Sequence, residues 1–449
     1  MASKMLSTVC VGLLITVTFG LPSDFKLPQP KENGKQWALL VAGSNGWYNY
    51  RHQADICHAY HIVRSHGIPA EQIIVMMFDD IAYNKQNPNQ GEIINQPGGE
   101  NVYKGVAIDY RGKDVNPKTF LNVLQGNEED VKGQGTGRVI KSASNDNVFV
   151  NFVDHGAPGL IAFPTEFLHA VDLNIALDHM HDNNQYHQLL FYLETCESGS
   201  MFSSLLRKDY NILAMTAANS TQSSYACYFD KTLETYLGDV FSVNWMQNSD
   251  KSNLNSETID KQFHIVRKET NQSHVMEFGD LTMNKLMLSA FLGYEQDNHI
   301  VLNAPNPNLD AVPSEDVEIM VERKLYTMAK ENNDTAKMDE SWAKITDITR
   351  KREKTDNTMK QIISFVAGDR NFQEQNAMLM GENDLFKHDC YGPVVEYLKD
   401  TCRDLDLPSN RYSLKHLRMV VNLCERPYSK DAIFSAIDKA CGLDIITFA

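Results

Sequence analysis

Short apolar runs recur through the first two thirds of the chain and are separated by polar segments. They cover residues 37–42, 73–77, 148–153, 189–193 and 212–215. The runs are rich in β-branched and aromatic residues, which is typical of buried strands. We therefore expect at least five strands, each short enough to lie inside one sheet.

Helical spacing occurs between some of these runs. Ile56, Tyr60 and Val63 fall on one helix face before Gly67, which is a good helix stop. A second helix is predicted by apolar residues at positions i, i+3, i+4 and i+7, namely Leu173, Ala176, Leu177 and Met180. Strands that alternate with helices predict an α/β fold with a mainly parallel sheet flanked by helices.

The C-terminal part of the chain has a different pattern. Residues 303–313 contain three prolines, which suggests a linker. Residues 328–354 are strongly polar and charged, and we expect a second, exposed linker around Asn332. Beyond them, apolar side chains repeat with helical spacing over residues 359–366, 414–424 and 433–441. We therefore expect a small all-helical domain after the α/β part.

The composition narrows the class of protein. Hydrophobic residues make up 42% of the chain and charged residues 22%, which is ordinary for a globular protein. The formal net charge is −16, and the residues after 333 are nearly neutral, so most of the negative charge lies upstream. An acidic chain repels phosphate, and we expect no nucleic-acid partner.

The N-terminus indicates secretion. Lys4 precedes an apolar run over residues 9–19, and Thr18 and Gly20 are small residues at plausible cleavage positions, so residues 1–20 read as a signal peptide. The alternative is an N-terminal membrane anchor. No other run is long enough to span a membrane. Three N-glycosylation sequons, at Asn219, Asn271 and Asn333, agree with the secretory pathway.

The cysteines divide into two groups. Removal of residues 1–20 would leave seven of the eight cysteines. Four lie close together near the C-terminus, at Cys390, Cys402, Cys424 and Cys441, and predict two disulfides with three possible pairings. The other three are Cys57, Cys196 and Cys227. Because their number is odd, at least one thiol should be free.

Candidate chemistry lies directly after two of the predicted strands. Residues 148–153 are followed by Asp154-His155-Gly156, and residues 189–193 by Glu194-Thr195-Cys196. Ends of neighbouring parallel strands meet at one edge of a sheet, which would bring His155 and Cys196 together. A thiol nucleophile with an imidazole proton donor suits acyl transfer, and the N–H groups of Gly156 and Cys196 could form an oxyanion hole.

The histidine pairs elsewhere do not predict a metal centre. His58 and His61, and also His179 and His181, lie close together, but no HExxH motif accompanies either pair. We therefore expect neither a metal nor another cofactor.

Several longer motifs occur in a distinctive order along the chain. They are residues 43–55 (GSNGWYNYRHQAD), 75–83 (VMMFDDIAY), 154–156 (DHG), 196–201 (CESGSM), 223–227 (SSYAC), 236–239 (YLGD), 273–276 (SHVM) and 421–428 (VNLCERPY). In these motifs the chain resembles the legumain family of asparaginyl endopeptidases, which are caspase-like cysteine proteases. The resemblance covers nearly the whole chain after residue 20 and implies a caspase-like catalytic domain.

The resemblance also implies roles for individual residues. Cys196 would be the nucleophile, His155 its proton-transfer partner and Asn49 the group that orients the imidazole. The specificity pocket would consist of Arg51, Glu194, Ser223, Ser224 and Asp239. Such a pocket accepts the neutral carboxamide of asparagine, and aspartate when protons are available at acid pH. A peptide ligase side activity is implied as well.

For the C-terminal part, the resemblance implies an inhibitory prodomain with disulfides Cys390–Cys424 and Cys402–Cys441. The expected organisation is a signal peptide at 1–20, a catalytic domain with a short N-terminal extension at 21–332, and an activation linker with the prodomain at 333–449. Activation would cut after Asn332 or Asn333 and would be triggered by acid, which would weaken contacts of Arg403, Arg411 or Arg418 with carboxylates.

The expected partners are protein and peptide substrates, the chain's own prodomain and cystatin-type inhibitors. The expected location is the lysosome or endosome, or secretion, for example into a gut lumen. Two alternatives stay open. A catalytically inactive caspase-like binding protein would lack the intact residues Cys196, His155 and Asn49, and a transamidase-like enzyme would carry a C-terminal membrane helix.

Overall fold

The strands are the framework of the molecule in the computed structural model, which describes residues 34–295, 305–368 and 372–442. In chain order the strands are β1 (Gln36–Ala42), β2 (Ile73–Met77), β3 (Asn147–Val153), β4 (Gly156–Ala157), β5 (Leu160–Ala162), β6 (Phe167–His169), β7 (Gln188–Glu194), β8 (Ile212–Thr216), β9 (Tyr225–Asp230), β10 (Thr235–Asp239), β11 (Met276–Gly279) and β12 (Val312–Pro313).

Six of these strands form the central sheet in the order β11-β8-β7-β3-β1-β2. All neighbours are parallel except the edge strand β11, which runs antiparallel to β8. The central strands are buried along almost their whole length, as expected for a sheet covered on both faces. All five runs predicted as strands lie in this sheet, so the prediction of a mainly parallel α/β sheet is confirmed.

Helices cover both faces of the sheet. Those of the first part are α1 (Tyr50–Ser65), α2 (Pro117–Leu124), α3 (Ala170–Asp182), α4 (Val240–Lys251), α5 (Ile259–Glu269) and α6 (Ser289–Leu292). Two large apolar clusters separate the sheet from the helices: Phe149 and Trp245 belong to one and Phe152 and Leu177 to the other. The alternating side chains of β3 thus point into opposite cores.

Two small antiparallel sheets were not predicted from the sequence. One contains β4, β5 and β6 and lies next to the end of β3. The other has the order β10-β9-β12 and joins the segment before the C-terminal helices to the first part. Their strands have few residues and no regular apolar alternation, which explains why pattern analysis missed them.

The C-terminal part is all helical, as predicted. Its helices are α7 (Val317–Glu331), α8 (Thr335–Ala367), α9 (Phe372–Met380), α10 (His388–Thr401), α11 (Arg411–Lys415), α12 (Leu417–Cys424) and α13 (Lys430–Gly442). The disulfides are Cys390–Cys424 and Cys402–Cys441, in agreement with the pairing that the resemblance implies.

The polar, charged segment over residues 328–354 is mostly helical, and the linker predicted around Asn332 is confined to a short turn. This segment belongs mainly to α7 and to α8, a helix of 33 residues, and only a short turn at 332–334 separates them. Polar residues dominate because much of α8 faces solvent, while Ile348, Met359 and Ile362 are buried. The domain boundary at 332/333 falls in the turn and remains a prediction.

No helix in the described ranges is long and apolar enough to cross a membrane. The predicted signal peptide at 1–20 lies outside the described residues.

Candidate active site

The two predicted catalytic motifs follow neighbouring strands of the central sheet. β3 and β7 are parallel and adjacent, and Val153 pairs with Glu194. His155 follows β3 and Cys196 follows β7, so both lie at the carboxyl edge, where sites of open α/β sheets occur. Both side chains are buried. The structure therefore brings together the two residues that the sequence pattern paired.

Two groups contact the same ring nitrogen of His155. Its Nε2 lies 2.9 Å from Oδ1 of Asn49, whose Nδ2 donates to the carbonyl oxygen of Asn45 at 2.8 Å. The Nε of Arg411, at the start of α11, also lies 2.9 Å from this ring nitrogen. A single imidazole nitrogen cannot both donate to Asn49 and accept from Arg411. Arg411 of the C-terminal part therefore competes with Asn49 for the imidazole.

The surroundings keep this imidazole neutral. Burial, together with the cations of Arg411 and Arg51, lowers the pKa of His155 well below its ordinary value. A neutral ring whose Nε2 accepts from Arg411 cannot at the same time donate from Nε2 to Asn49, so this contact no longer orients the imidazole for proton transfer.

The thiol of Cys196 is held away from reaction as well. Its Sγ accepts from the backbone N–H of Ser224 at 3.3 Å and lies 3.8 Å from Oε2 of Glu315. Burial and the Glu315 carboxylate raise the pKa of the thiol well above its ordinary value. Within the described ranges no hydrogen bond joins Cys196 to His155. The neutral thiol is a poor nucleophile.

Glu315 reaches the thiol from residues 312–316, which consist of β12 and a 3₁₀ turn at Ser314–Asp316 and which we call the strap. β12 in the strap pairs antiparallel with the start of β9 at Tyr225 and Ala226. Next to it, the N–H of Ser314 donates to the carbonyl oxygen of Ser224 at 2.9 Å. Strand addition of this kind is a common way to bind an extended peptide. The strap thus occupies an edge at which a substrate could pair.

The predicted residues Ser223 and Ser224 contact the strap and the nucleophile. Oγ of Ser223 donates to Oε1 of Glu315 at 2.7 Å, and Oγ of Ser224 lies 3.8 Å from Sγ of Cys196. Nζ of Lys415, on α11, lies 3.4 Å from the same Glu315 oxygen. The carboxylate at the thiol is thus fixed by groups from both parts of the chain.

The position of Gly156 requires glycine. A Cβ there would lie 2.5 Å from the carbonyl oxygen of Cys196 and 2.7 Å from Oγ1 of Thr195. A larger residue would push apart the two segments that carry His155 and Cys196. The part of Gly156 in an oxyanion hole stays a prediction.

Three other residues, predicted to belong to the specificity pocket, form a buried charged cluster. Nε of Arg51, on α1, donates to Oδ1 of Asp239 at 2.8 Å, where β10 ends. Glu194 ends β7, and its Oε2 accepts from the backbone N–H and the hydroxyl of Ser242 at 2.9 and 3.1 Å. Arg51, Glu194 and Asp239 are at most 1% exposed.

Several polar atoms of this pocket lack a hydrogen-bond partner among the described residues. They are Nη2 of Arg51, Oε1 of Glu194 and Oδ2 of Asp239. Each such atom costs about 1–3 kcal/mol when it stays buried and unsatisfied. One donor and two acceptors match the carbonyl oxygen and the NH₂ group of a primary carboxamide. The pocket is therefore suited to that group.

His52 and Asp154 connect the pocket with the catalytic pair, although the sequence analysis gave them no role. Nε2 of His52 lies 3.6 Å from Oδ2 of Asp239, and its ring centroid lies 4.9 Å from that of His155. Oδ1 of Asp154 accepts from the backbone N–H of His155 at 2.6 Å. Both residues directly neighbour predicted site residues in the sequence, and this adjacency was the available signal.

We assign no metal to this cluster. Donor atoms of His52, Asp154 and His155 lie within 4.8 Å of one another. However, the Arg411 cation touches His155 at Nε2 and would repel a metal ion there. Of the histidine pairs considered from the sequence, His61 lies 2.8 Å from the carbonyl oxygen of Val102.

A second arginine of the C-terminal part contacts the residue after the nucleophile. Nη2 of Arg418 lies 2.9 Å from Oε1 of Glu197, and it also donates to the carbonyl oxygen of Ser220. Burial raises the pKa of Glu197 to about 7 although Arg418 opposes this effect. The expectation of a carboxylate partner is confirmed for Arg418. Arg411 donates to His155, and the carboxylates of Glu318 and Asp154 also act on its charge, whereas Arg403 begins a 3₁₀ turn at Arg403–Leu405.

The predicted modification and cleavage sites differ in accessibility. Asn271, Asn332 and Asn333 are exposed, and the last two lie in the turn between α7 and α8. Asn219 is only half-exposed, and its Oδ1 accepts from the N–H of Thr221 at 2.9 Å. Use of these sites remains a prediction.

Comparisons with known proteins agree with this geometry. The model of the peptidase C13 family matches residues 36–294, and that of the legumain prodomain matches residues 343–441. Legumain of Bos taurus is 44% identical over 417 residues, which are 92% of this chain and 95% of that protein. Hemoglobinase of Schistosoma japonicum is 40% identical over 411 residues, 91% of this chain and 93% of that protein.

The vacuolar-processing enzyme delta-isozyme of Arabidopsis thaliana is 38% identical over 442 residues, 94% of this chain and 93% of that protein. Among solved structures, caspase-1 of Spodoptera frugiperda matches 63% of this chain and 99% of its own at 12% identity and a TM-score of 0.36, which is too low for an inference about fold. The C13 model spans more than half of the chain, and the relatives cover nearly all of it. The chain therefore belongs to the peptidase C13, or legumain, family of cysteine endopeptidases, and it carries a legumain prodomain.

Proposed function

We propose that the protein hydrolyses peptide bonds after asparagine, and after aspartate at acid pH, and that it is made as a latent zymogen. The observation that carries this proposal is the buried pocket of Arg51, Glu194 and Asp239 beside the Cys196–His155 pair. Its partnerless atoms favour a side chain that both accepts and donates hydrogen bonds. Asparagine has such a side chain and is short enough to reach the pocket from a nearby scissile bond.

In the active form, the sulfur of Cys196 attacks the carbonyl carbon of the substrate, and the thiol proton passes to His155. His155 returns a proton to the leaving amine, and a thioester forms. Water then attacks the thioester, which releases the acid and regenerates the thiol. Asn49, at 2.9 Å, orients the imidazole for both transfers. The N–H groups of Gly156 and Cys196 stabilise the developing oxyanion.

Latency follows from contacts that oppose each of these steps. Arg411 occupies the ring nitrogen of His155, and Glu315 faces the thiol of Cys196. The strap pairs with β9, where an extended substrate would bind. Release of the prodomain would remove Arg411, and release of the strap would remove Glu315. A cut after Asn332 or Asn333, in the exposed turn, would separate the prodomain helices from the rest.

Acid activation is supported by the sign of the pKa shift at His155. In the complex with the prodomain, the pKa of His155 is lowered. The neutral imidazole therefore favours the complex at pH values above the pKa of the released form, and the complex loses this stability as the pH falls below that pKa. Two disulfides within the prodomain fit an oxidising secretory compartment. We therefore place the protein in the secretory pathway, in an acidic lysosomal or endosomal compartment or after secretion.

The test compares three peptides that differ only at one residue, asparagine, aspartate or leucine, with acid-activated protein. We expect kcat/KM to be highest for asparagine, measurable for aspartate only in acid, and near background for leucine. Cys196→Ser serves as the inactive control. Equal cleavage of the asparagine and leucine peptides would refute the pocket assignment. An added amine-terminated peptide in the same assay tests the ligase side activity that the resemblance implies.

A further inference from the structure

A chain of hydrogen bonds leads from the protein surface to the back of the charged pocket. Nε2 of His58 lies 3.0 Å from Oδ2 of Asp250, and Nδ1 of His58 lies 2.8 Å from Oδ1 of Asn95. Nδ2 of Asn95 donates to Oδ1 of Asp55 at 2.7 Å. Asp55 is fully buried, and the same Asn95 nitrogen also donates to the carbonyl oxygen of Leu237 at 2.9 Å, two residues before the pocket residue Asp239.

The orientation of the Asn95 amide fixes the charge of His58. The amide nitrogen faces two acceptors, Oδ1 of Asp55 and the carbonyl oxygen of Leu237, so the amide oxygen must face His58. Nδ1 of His58 is then a donor to Asn95, and Nε2 is a donor to the Asp250 carboxylate. An imidazole that donates from both nitrogens carries a positive charge. Burial opposes this charge, but Asp250 and Asn95 raise the pKa of His58 overall.

The local backbone is built to admit Asn95. Gly238 lies on β10 between Leu237 and Asp239, and a Cβ there would lie 3.2 Å from Nδ2 of Asn95 and 2.7 Å from Cγ2 of Val243. Glycine at this position lets the amide reach both the strand and Asp55. The contact is therefore part of the packing of β10 and not a loose surface contact.

Asp55 and Asp239 are both completely buried, and Oδ2 of each has no hydrogen-bond partner among the described residues. Two facing carboxylates with one guanidinium cannot both remain charged in a buried site. Burial raises the pKa of both residues, and the effect on Asp55 is increased by the Asp239 charge. The other titratable groups that face the pair are Arg51, His52 and Cys57 on α1, Glu194 at the end of β7 and Cys227 on β9.

We propose that Asp55, Asn95 and His58 are positioning residues of the specificity pocket, which hold a proton beside Asp239 and thereby set the pH at which the pocket accepts aspartate in place of asparagine. This inference rests on the proposed function. When the pair holds one proton, Asp239 presents a negative charge, which favours the NH₂ group of asparagine and repels an aspartate carboxylate. When acid protonates the pair fully, that repulsion is lost.

Two substitutions should move the pH profile in opposite directions. Asp55→Asn keeps a donor beside Asp239 but removes the competing carboxyl, so Asp239 stays ionised to lower pH. The pH below which cleavage after aspartate rises should then be lower by about one unit, which is the scale on which the pKa values of coupled carboxyls separate. His58→Gln keeps a donor to Asn95 but removes a positive charge, so the pair holds its protons more tightly. The pH below which cleavage after aspartate rises should then be higher.

The experiment measures kcat/KM for matched asparagine and aspartate peptides against pH, with activated parent protein and both variants. His264→Gln is the control, because His264 is exposed and its ion pair, with Asp260 at 3.6 Å, lies on its own helix α5. The ratio of the two peptides is independent of the amount of folded enzyme. A role limited to packing would lower both values together and would leave the ratio profile in place.

Opposite shifts of the two variants, with no shift in His264→Gln, would support the inference. A parent that cleaves both peptides, with variants whose ratio profiles match that of the control, would overturn the inference and leave the proposed function intact. A parent that cleaves neither peptide at any pH would overturn both.

Discussion

The contact between Arg411 and His155 makes a quantitative prediction about acid release of the prodomain. While the complex keeps this imidazole neutral, each pH unit below the ordinary histidine pKa of about 6.5 weakens the complex by about 1.4 kcal/mol. At pH 4.5 the loss reaches about 2.7 kcal/mol, which is about a hundredfold in the dissociation constant. The direction follows from the 2.9 Å contact, because a protonated ring cannot accept from the Arg411 guanidinium. The magnitude is an upper value, because Arg51, which also lowers the pKa of His155, stays in the catalytic part after release.

Glu197 should act in the opposite direction. Its pKa in the complex is raised to about 7, so the complex gains stability through this group as pH falls from 7 toward the ordinary glutamate value of about 4.3. Acid release therefore requires that the contribution of His155 and the other groups exceed that of Glu197. The two contributions can be separated by substitution, because Gln at either position no longer titrates.

The assay uses Cys196→Ser protein that an added protease has cut in the exposed turn at 332–334, so that release is not limited by autocleavage. Both disulfides lie within the prodomain and leave it free to dissociate. Gel filtration or ultracentrifugation gives the dissociation constant from pH 7 to pH 4.5. We expect a further His155→Gln substitution to flatten the dependence on pH and Glu197→Gln to steepen it. A His155→Gln complex that weakens with acid as steeply as its parent would refute the reasoning.

Three further predictions concern the pocket, the strap and the activation cut. Asp239→Ala should raise the activation free energy for cleavage after asparagine by about 1–3 kcal/mol. The increase for aspartate should be smaller, because a repelling charge is also removed; an equal increase for both would show that Asp239 does not set the specificity. Glu315→Gln should speed alkylation of Cys196 in the full-length chain, and an unchanged rate would exclude electrostatic suppression of the thiol. α7 holds the turn at Asn332 and Asn333 about 22 Å from the strap, so activation should need a second molecule and its rate should rise with protein concentration; a rate independent of concentration would contradict this.

The central sheet and the catalytic pair could be predicted because their signals are local. Each strand is a continuous apolar run, and His155 and Cys196 follow such runs directly. Their neighbourhood then follows from the parallel order of β3 and β7. Predicting that these two residues form a pair required no knowledge of side-chain packing.

The contacts that define latency could not be predicted because they join residues far apart in sequence. Glu315 reaches Cys196 only because the strap pairs with β9, and Arg411 reaches His155 from a short helix in the prodomain. Net charge gave no signal for either contact, since the prodomain is nearly neutral. The N-terminal half of α8 was not predicted as a helix, because a long, largely exposed helix has few apolar positions.

The central claim, that Cys196 is the nucleophile of a pocket selective for asparagine, is tested most directly by a thiol-reactive peptide probe. Activated protein is treated with two probes of similar size, one with asparagine and one with leucine beside the electrophile, and the adducts are located by mass spectrometry. We predict one adduct per chain, on Cys196, with the asparagine probe and little reaction with the leucine probe. Equal labelling by both probes, or labelling at the buried thiols of Cys57 or Cys227 instead, would contradict the claim.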